Sequence, residues 1–169
     1  SVDRRRFSPG QVISTAGEFH NKNPEGSAFI EEIFEQFKPG NKPSRVGSLF
    51  LFDDEATAKR HWAKMECGVI YAVEVNEGSI KHRGDMQLCE DAFTKLDDRA
   101  AVEEFAKNYW AGVESSESRM EILVESATVT SILCDDEQER KRHFASIYMV
   151  RTSAPAYVSP FGVSPVELE

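Results

Sequence analysis

Apolar and polar positions along the chain follow two periods, one near 3.6 residues and one of two residues. Apolar residues spaced by three and four, with charged residues between them, are typical of helices that bury one face. Short runs of β-branched and aromatic residues are typical of strands. Helical spacing predicts helices over residues 27–37, 54–65, 98–111 and 136–143, with one helical turn over 90–94. Strand patterns cover residues 48–52, 69–75, 80–83, 120–124, 128–133 and 146–151.

Polar residues mark where two of these helices begin. Ser27 is the predicted N-cap of the first helix, and Asp53 or Asp54 caps the second. Helices and strands are mixed without strict β-α-β alternation, which favours an α+β fold over a doubly wound parallel sheet. We expect a single domain over residues 1–152, followed by a tail at 153–169 whose prolines interrupt regular structure.

Composition indicates an acidic globular chain. The formal net charge of −9 argues against broad phosphate-backbone binding, although basic clumps at 4–6 and 140–142 leave room for a small basic cleft. The histidines lack metal-ligand spacing and the three cysteines lack a C-x-x-C pair, so we predict no metal site and no disulfide framework. No apolar run approaches the ~20 residues of a membrane-spanning helix. We therefore expect a cytoplasmic protein without a membrane partner.

Glu121 is unusual because it is an acidic residue inside the apolar segment 119–124. Strand alternation places Glu121 and Leu123 on one face and their apolar neighbours on the other. A carboxylate on a rigid strand beside a cleft suits catalysis, because partial burial tunes its proton affinity. The alternative is a strand-end glutamate on a solvated face, and Glu125 is a nearby competitor for the same role.

Two further stretches place polar groups beside predicted strands. In the segment 43–53 a polar, glycine-containing entry leads into an apolar strand, where Ser44, Arg45 and Ser48 can present donors. The stretch Arg4–Arg6 precedes a proline-glycine turn. The alternatives are a plain loop before a core strand in the first case and a basic terminal arm in the second.

In their order these segments resemble the ADP-ribosyltransferase superfamily, and its bacterial toxin branches most of all. The segment 48–58 resembles that family's central strand and small-residue helix, and 68–75 resembles the strand that follows. The segments 119–124 and 129–133 resemble the late strands that carry the catalytic glutamate. Tyr109–Gly112 resembles a Tyr-Trp-Gly-like segment that precedes this glutamate in a small bacterial family.

The resemblance covers roughly residues 4–133 and implies a split antiparallel sheet with flanking helices, in which NAD binds between two small sheets. It makes Glu121 the catalytic carboxylate, which holds the nicotinamide-ribose 2′-hydroxyl and stabilises an oxocarbenium-like transition state. Further residues are implied as NAD contacts. They are Arg6 or Arg5 at the ribose or pyrophosphate, Ser44, Arg45 and Ser48 at the entry to the central strand, and Phe50 and Tyr71, which either stack on the nicotinamide or belong to the core.

The implied activity is mono-ADP-ribosylation of a macromolecule by a bacterial toxin or effector domain, with protein favoured over nucleic acid as the acceptor. Such a domain acts in its own cytoplasm or in that of a target cell, and an inhibitory or immunity partner is compatible with this activity. Two features depart from the family pattern: Arg119 stands where arginine-modifying toxins carry an acidic or amide residue, and no Ser-Thr-Ser triplet is present. The alternatives are a non-catalytic interaction module with the same fold, an ADP-ribosyltransferase acting on nucleic acid, and an α+β domain of unrelated function.

Overall fold

The computed structural model describes residues 6–15, 25–65 and 68–151, and these residues form an α+β fold, as predicted. No helix among them is long and apolar enough to cross a membrane. The helices are α1 (Glu25–Gln36), α2 (Glu55–Ala63), α3 (Met86–Phe93), α4 (Arg99–Ala111) and α5 (Glu137–Arg151). The strands are β1 (Val12–Ser14), β2 (Leu49–Phe52), β3 (Ile70–Glu74), β4 (Ile80–Asp85), β5 (Met120–Val124) and β6 (Ser126–Cys134).

The strands form two small antiparallel sheets of three strands each. Their orders are β2-β5-β4 and β1-β6-β3, so β5 and β6 are the central strands. Only Glu125 separates β5 from β6, and the chain therefore passes directly from the centre of one sheet to the centre of the other. Because β5 is hydrogen-bonded on both sides, its backbone is the most constrained of its sheet.

One face of the β2-β5-β4 sheet packs against α1, α3 and α4. Antiparallel neighbours point to the same face, and the register pairs Phe50 with Leu123 and Gly84 with Glu121. Leu123 is buried in a cluster with apolar residues of all three helices, and Phe50 packs against it. The helical members are Ile30, Ile33, Phe34, Leu88, Cys89, Ala92, Val102, Ala106, Tyr109 and Trp110. Glu121 therefore faces a largely apolar helical layer.

Two predicted features of the helices are wrong. The helix α1 begins at Glu25, so Ser27 lies inside it rather than at its cap. The segment 146–151, predicted as a strand from its isoleucine, tyrosine and valine, continues α5. The helix α5 packs against α2, and no breaker stands between its charged first half and this segment, so the helix propagates through it.

The predicted N-cap of α2 is confirmed. Asp54, not Asp53, is the cap of α2, and its side chain accepts a hydrogen bond from the Thr57 amide at 2.7 Å. Cys89 and Cys134 are free and buried. Cys67 and the predicted tail at 153–169 lie outside the described residues.

Asp85 joins the end of β4 to the loop before β5. Its fully buried carboxylate accepts hydrogen bonds from the amides of Gln87, Ser115 and Arg119 at 2.8–2.9 Å and from the Ser115 hydroxyl at 2.6 Å. Burial alone raises the pKa of Asp85, but these hydrogen bonds outweigh it and hold the pKa below its usual value. The charged carboxylate thereby fixes Arg119, the residue just before β5 and two positions before Glu121.

We predict that Asp85→Asn destabilises the fold by about 2–3 kcal/mol at pH 7, because a charged acceptor with several buried donors is lost. The folded-state pKa of Asp85 is depressed, so its stabilisation is complete above the ordinary value of 3.8 and disappears as the pH falls through the folded-state value. Urea unfolding should show that the difference in the free energy of unfolding between wild type and variant becomes smaller below about pH 4. The control is Asp97→Asn, since Asp97 is exposed. A difference in unfolding free energy between wild type and Asp85→Asn that does not change with pH contradicts the prediction.

Candidate functional site

A buried charged cluster lies where the helical layer meets the β2-β5-β4 sheet. Glu121 is 2% exposed, and its Oε1 accepts hydrogen bonds from the Tyr109 hydroxyl at 2.7 Å and from Nη1 of Arg45. Arg45 also reaches Glu31 on α1, with 3.1 Å between Nε and Oε2. One guanidinium, from the loop before β2, therefore joins two carboxylates that belong to different elements.

Aromatic rings surround the Arg45 guanidinium. Its Cζ lies 4.7 Å from the ring centre of Tyr109, 4.9 Å from that of Phe50 and 5.5 Å from that of Phe34. Cation–π attraction adds to the two ion pairs, and together they offset the cost of removing the guanidinium from water. Phe50, a predicted stacking residue, thus belongs both to the core and to this cluster.

The strand β4 is shaped to admit the ring of Tyr109 beside Glu121. Gly84 lies opposite Glu121 in the ladder, and a Cβ at this position would overlap the Tyr109 ring. Burial and the nearby Glu121 carboxylate raise the pKa of Tyr109 well above its ordinary value. The hydroxyl therefore keeps its proton and donates it to Glu121 in a hydrogen bond.

A tight turn before β2 directs Arg45 toward Glu121. The Ser48 hydroxyl donates to the Ser44 carbonyl at 2.7 Å, and the Ser48 amide donates to the Arg45 carbonyl at 3.1 Å. Thr15, directly after β1, donates from its hydroxyl to the Gly47 carbonyl at 2.9 Å, which ties this turn to the other sheet. Ser48 is buried and its hydroxyl is used within the turn, so Ser44 and Ser48 hold the backbone that carries Arg45.

Arg6 and Tyr71 belong to a different group of contacts, around the β1-β6-β3 sheet. Nη1 of Arg6 lies 3.2 Å from Asp135, which follows β6. The Tyr71 hydroxyl accepts a hydrogen bond from the Phe7 amide at 3.1 Å, and the two rings meet edge to face at 5.5 Å. The predicted site residues thus fall into two groups, one on each sheet, while Arg5 lies outside the described residues.

Arg119 anchors the chain just before β5. Its guanidinium binds Glu90 of α3 through two nitrogens, at 2.9 and 2.6 Å, and also contacts Gln87. Arg119 is 7% exposed, so this side chain is committed to the fold. Among residues 6–15, 25–65 and 68–151, no group of three or more His, Cys, Asp or Glu side chains has the arrangement of a metal site.

Sequence reasoning missed three contributors to the cluster: Tyr109, Glu31 and Gly84. Helical spacing assigns Tyr109 to the core face of α4, and that face is where the structure places it, but spacing is silent about its hydroxyl. Glu31 stands among glutamates that the pattern assigns to a solvated face. Gly84 directly follows the predicted strand at 80–83, and a glycine within or beside a strand can mark a place where another group approaches closely.

We predict that Arg45→Met destabilises the fold by about 3–5 kcal/mol, because it leaves the buried Glu121 carboxylate without its cation. The double variant Arg45→Met with Glu121→Gln should regain part of this stability, because it removes the unpaired charge. Urea unfolding measures both. The control is Arg83→Met on β4, whose exposed side chain lies 3.8 Å from Asp53 and should contribute less than about 1 kcal/mol. A cost for Arg45→Met as small as that of the control contradicts the prediction.

The sequence matches a protein-family model over most of its length. Residues 5–135 match the family model described as "Protein of unknown function (DUF2441)". The matched range contains every element from β1 to β6, and with them all members of the charged cluster around Glu121. No curated protein matches the chain.

Proposed function

The chain belongs to the DUF2441 family, and we propose from its site that it is a mono-ADP-ribosyltransferase with Glu121 as the catalytic carboxylate. It cleaves NAD and transfers ADP-ribose to a macromolecule. The observation that carries the proposal is the convergence of Arg45 and Glu121, which stand 76 positions apart in the chain. Arg45 lies just before the segment 48–58, which resembles the central strand and helix of that superfamily, and Glu121 lies in the segment 119–124, which resembles its catalytic strand.

The architecture supports the proposal. Two three-stranded antiparallel sheets are compatible with the split sheet expected of an ADP-ribosyltransferase. In the proposal NAD binds between them. The direct passage from β5 to β6 holds the two sheets together at one point. Arg6 and Tyr71 on one sheet and Arg45 and Phe50 on the other then contact different parts of an extended dinucleotide.

In the proposed reaction Glu121 accepts a hydrogen bond from the nicotinamide-ribose 2′-hydroxyl. The glycosidic bond between C1′ and nicotinamide breaks, and nicotinamide leaves with the bonding electron pair. The carboxylate stabilises the positive charge that develops on the ribose ring, and it does so strongly because the site is largely shielded from water. A nucleophilic group of the acceptor then forms a bond to C1′ and loses its proton.

Arg45 must move before NAD reaches the carboxylate, because Glu121 is 2% exposed and Arg45 binds its Oε1. The NAD pyrophosphate is an alternative partner for the guanidinium, since arginine pairs with phosphate through two parallel hydrogen bonds. Glu31 binds the same guanidinium from α1 and keeps it close during the exchange. Arg45 thus neutralises Glu121 in the free protein and NAD in the complex.

We predict that Glu121→Gln lowers NAD turnover by about 10²–10³-fold, because the amide lacks the charge that opposes the developing cation. Glutamine keeps the volume of the side chain and an acceptor for Tyr109, so the protein should remain folded. Turnover is measured as nicotinamide release, and labelled NAD is offered to protein, DNA and RNA mixtures to identify the acceptor.

The matched control is Glu125→Gln, since Glu125 is exposed and only weakly paired with Lys81 at 3.8 Å. This variant should keep wild-type turnover. If the two variants turn over NAD equally well, Glu121 is not the catalytic group. If the wild-type protein releases no nicotinamide with any acceptor, the proposed activity is wrong.

The burial of Glu121 favours a second candidate function, a non-catalytic interaction module with the same fold. In that case Arg45 and Tyr109 satisfy the Glu121 carboxylate permanently and the cluster serves stability alone. The two candidates differ in their response to NAD. A thermal shift that rises with NAD concentration supports the enzyme, since a ligand that binds only the folded state stabilises it, and no shift at millimolar NAD supports the module.

A further inference from the structure

We propose that Tyr109 is a positioning residue for Glu121, and that Gly84 is the strand position that makes this contact possible. The inference rests on the proposed function, because it assigns a task to Tyr109 in that reaction. Tyr109 contacts the catalytic carboxylate and not the reacting atoms, so it acts through Glu121.

The ring of Tyr109 has little freedom to turn. Tyr109 is 0% exposed, and its ring packs against Phe34, His82 and Trp110, with centres 5.1–5.4 Å apart. Gly84 supplies the remaining wall, because the ring occupies the space that any side chain at that position would need. The hydroxyl is therefore presented to Glu121 from a fixed place, 2.7 Å from Oε1.

The backbone around Tyr109 is held in the same way. Its carbonyl lies 3.1 Å from Nε2 of His82 on β4, and burial lowers the pKa of that histidine, which keeps the ring neutral. The next residue, Trp110, donates from its indole nitrogen to the Phe34 carbonyl on α1 at 2.6 Å. The helix α4 is thus fixed to both β4 and α1 at the level of Glu121.

This arrangement matters most when Arg45 leaves Glu121. The carboxylate then loses its ion pair, and the Tyr109 hydroxyl is the donor that still holds Oε1 in place. A carboxylate held in one orientation meets the 2′-hydroxyl without first losing rotational freedom, which is the advantage of a preorganised site. Tyr109 therefore supports the reaction step more than the binding of NAD.

The test is Tyr109→Phe, which removes the hydroxyl and keeps the ring against Gly84. We expect kcat for nicotinamide release to fall about 10–100-fold with little change in KM for NAD, as a hydrogen bond to a charged group contributes that much. In the Glu121→Gln background the same substitution should have almost no further effect on kcat, because the two residues act as one unit. The control is Thr94→Val, which removes an exposed hydroxyl at the end of α3, and this variant should keep wild-type turnover.

A second variant, Gly84→Ala, displaces the ring without removing the hydroxyl. It should lower kcat at least as much as Tyr109→Phe, and it should also lower the unfolding midpoint. The proposal is overturned if Tyr109→Phe keeps wild-type kcat. It is also overturned if Tyr109→Phe lowers kcat by the same factor in the Glu121→Gln background as in the wild-type protein, since the hydroxyl then does not act through the carboxylate.

Urea unfolding separates this inference from the proposed function. Tyr109→Phe should cost more stability in the wild-type protein than in the Glu121→Gln background, whether or not NAD is turned over. If the effects of Tyr109→Phe and Glu121→Gln on the free energy of unfolding are coupled but the wild-type protein does not turn over NAD, the proposed enzymatic activity is wrong. Tyr109 is then only a structural partner of Glu121. If the two effects on the free energy of unfolding are not coupled and the wild-type protein turns over NAD, only the positioning role is wrong.

Discussion

The ion pair between Arg45 and Glu121 is the interaction on which the arrangement of this fold depends. A carboxylate on the central strand β5 faces an apolar helical layer, where an unpaired charge is very costly. Arg45 compensates it, and Arg45 in turn needs Glu31, the turn at 44–48 and three aromatic rings to be stable in the same place. The charged pair therefore determines what α1, α4 and the entry to β2 must provide.

The same pair connects stability to the proposed chemistry. A catalytic carboxylate is most effective where water is excluded, and a site of that kind penalises the free charge before the substrate arrives. In the proposal Arg45 meets both demands, because its guanidinium pairs with Glu121 in the free protein and with the NAD pyrophosphate in the complex. In the proposed reaction the stability that Arg45 provides to the free protein is regained in its contact with NAD. Tyr109, which donates a hydrogen bond to Glu121, then keeps the carboxylate oriented between the two states.

Much of this fold follows from local sequence patterns, and the charged cluster follows only in part. The strands β2 and β5 and the helix α4 are short, regular segments whose apolar residues suffice to place them. The prediction of a strand at the end of α5 is wrong. Its residues favour a strand, but contact with α2 and the uninterrupted helix before it make this segment helical. Gly84 and the Tyr109 hydroxyl escaped prediction because their roles arise from a close approach between distant segments, which spacing along the chain does not encode.

The central claim is that NAD displaces Arg45 from the carboxylate of residue 121, and the side-chain Nε signal of Arg45 reports on this directly. NMR spectra of ¹⁵N-arginine-labelled wild-type protein, which keeps the carboxylate, can be recorded during a titration with carbocyclic NAD, whose bond to nicotinamide resists cleavage. The account predicts a saturable change at Arg45 and none at Arg83, an exposed arginine on β4. An Arg45 signal that stays unchanged at millimolar carbocyclic NAD would contradict it.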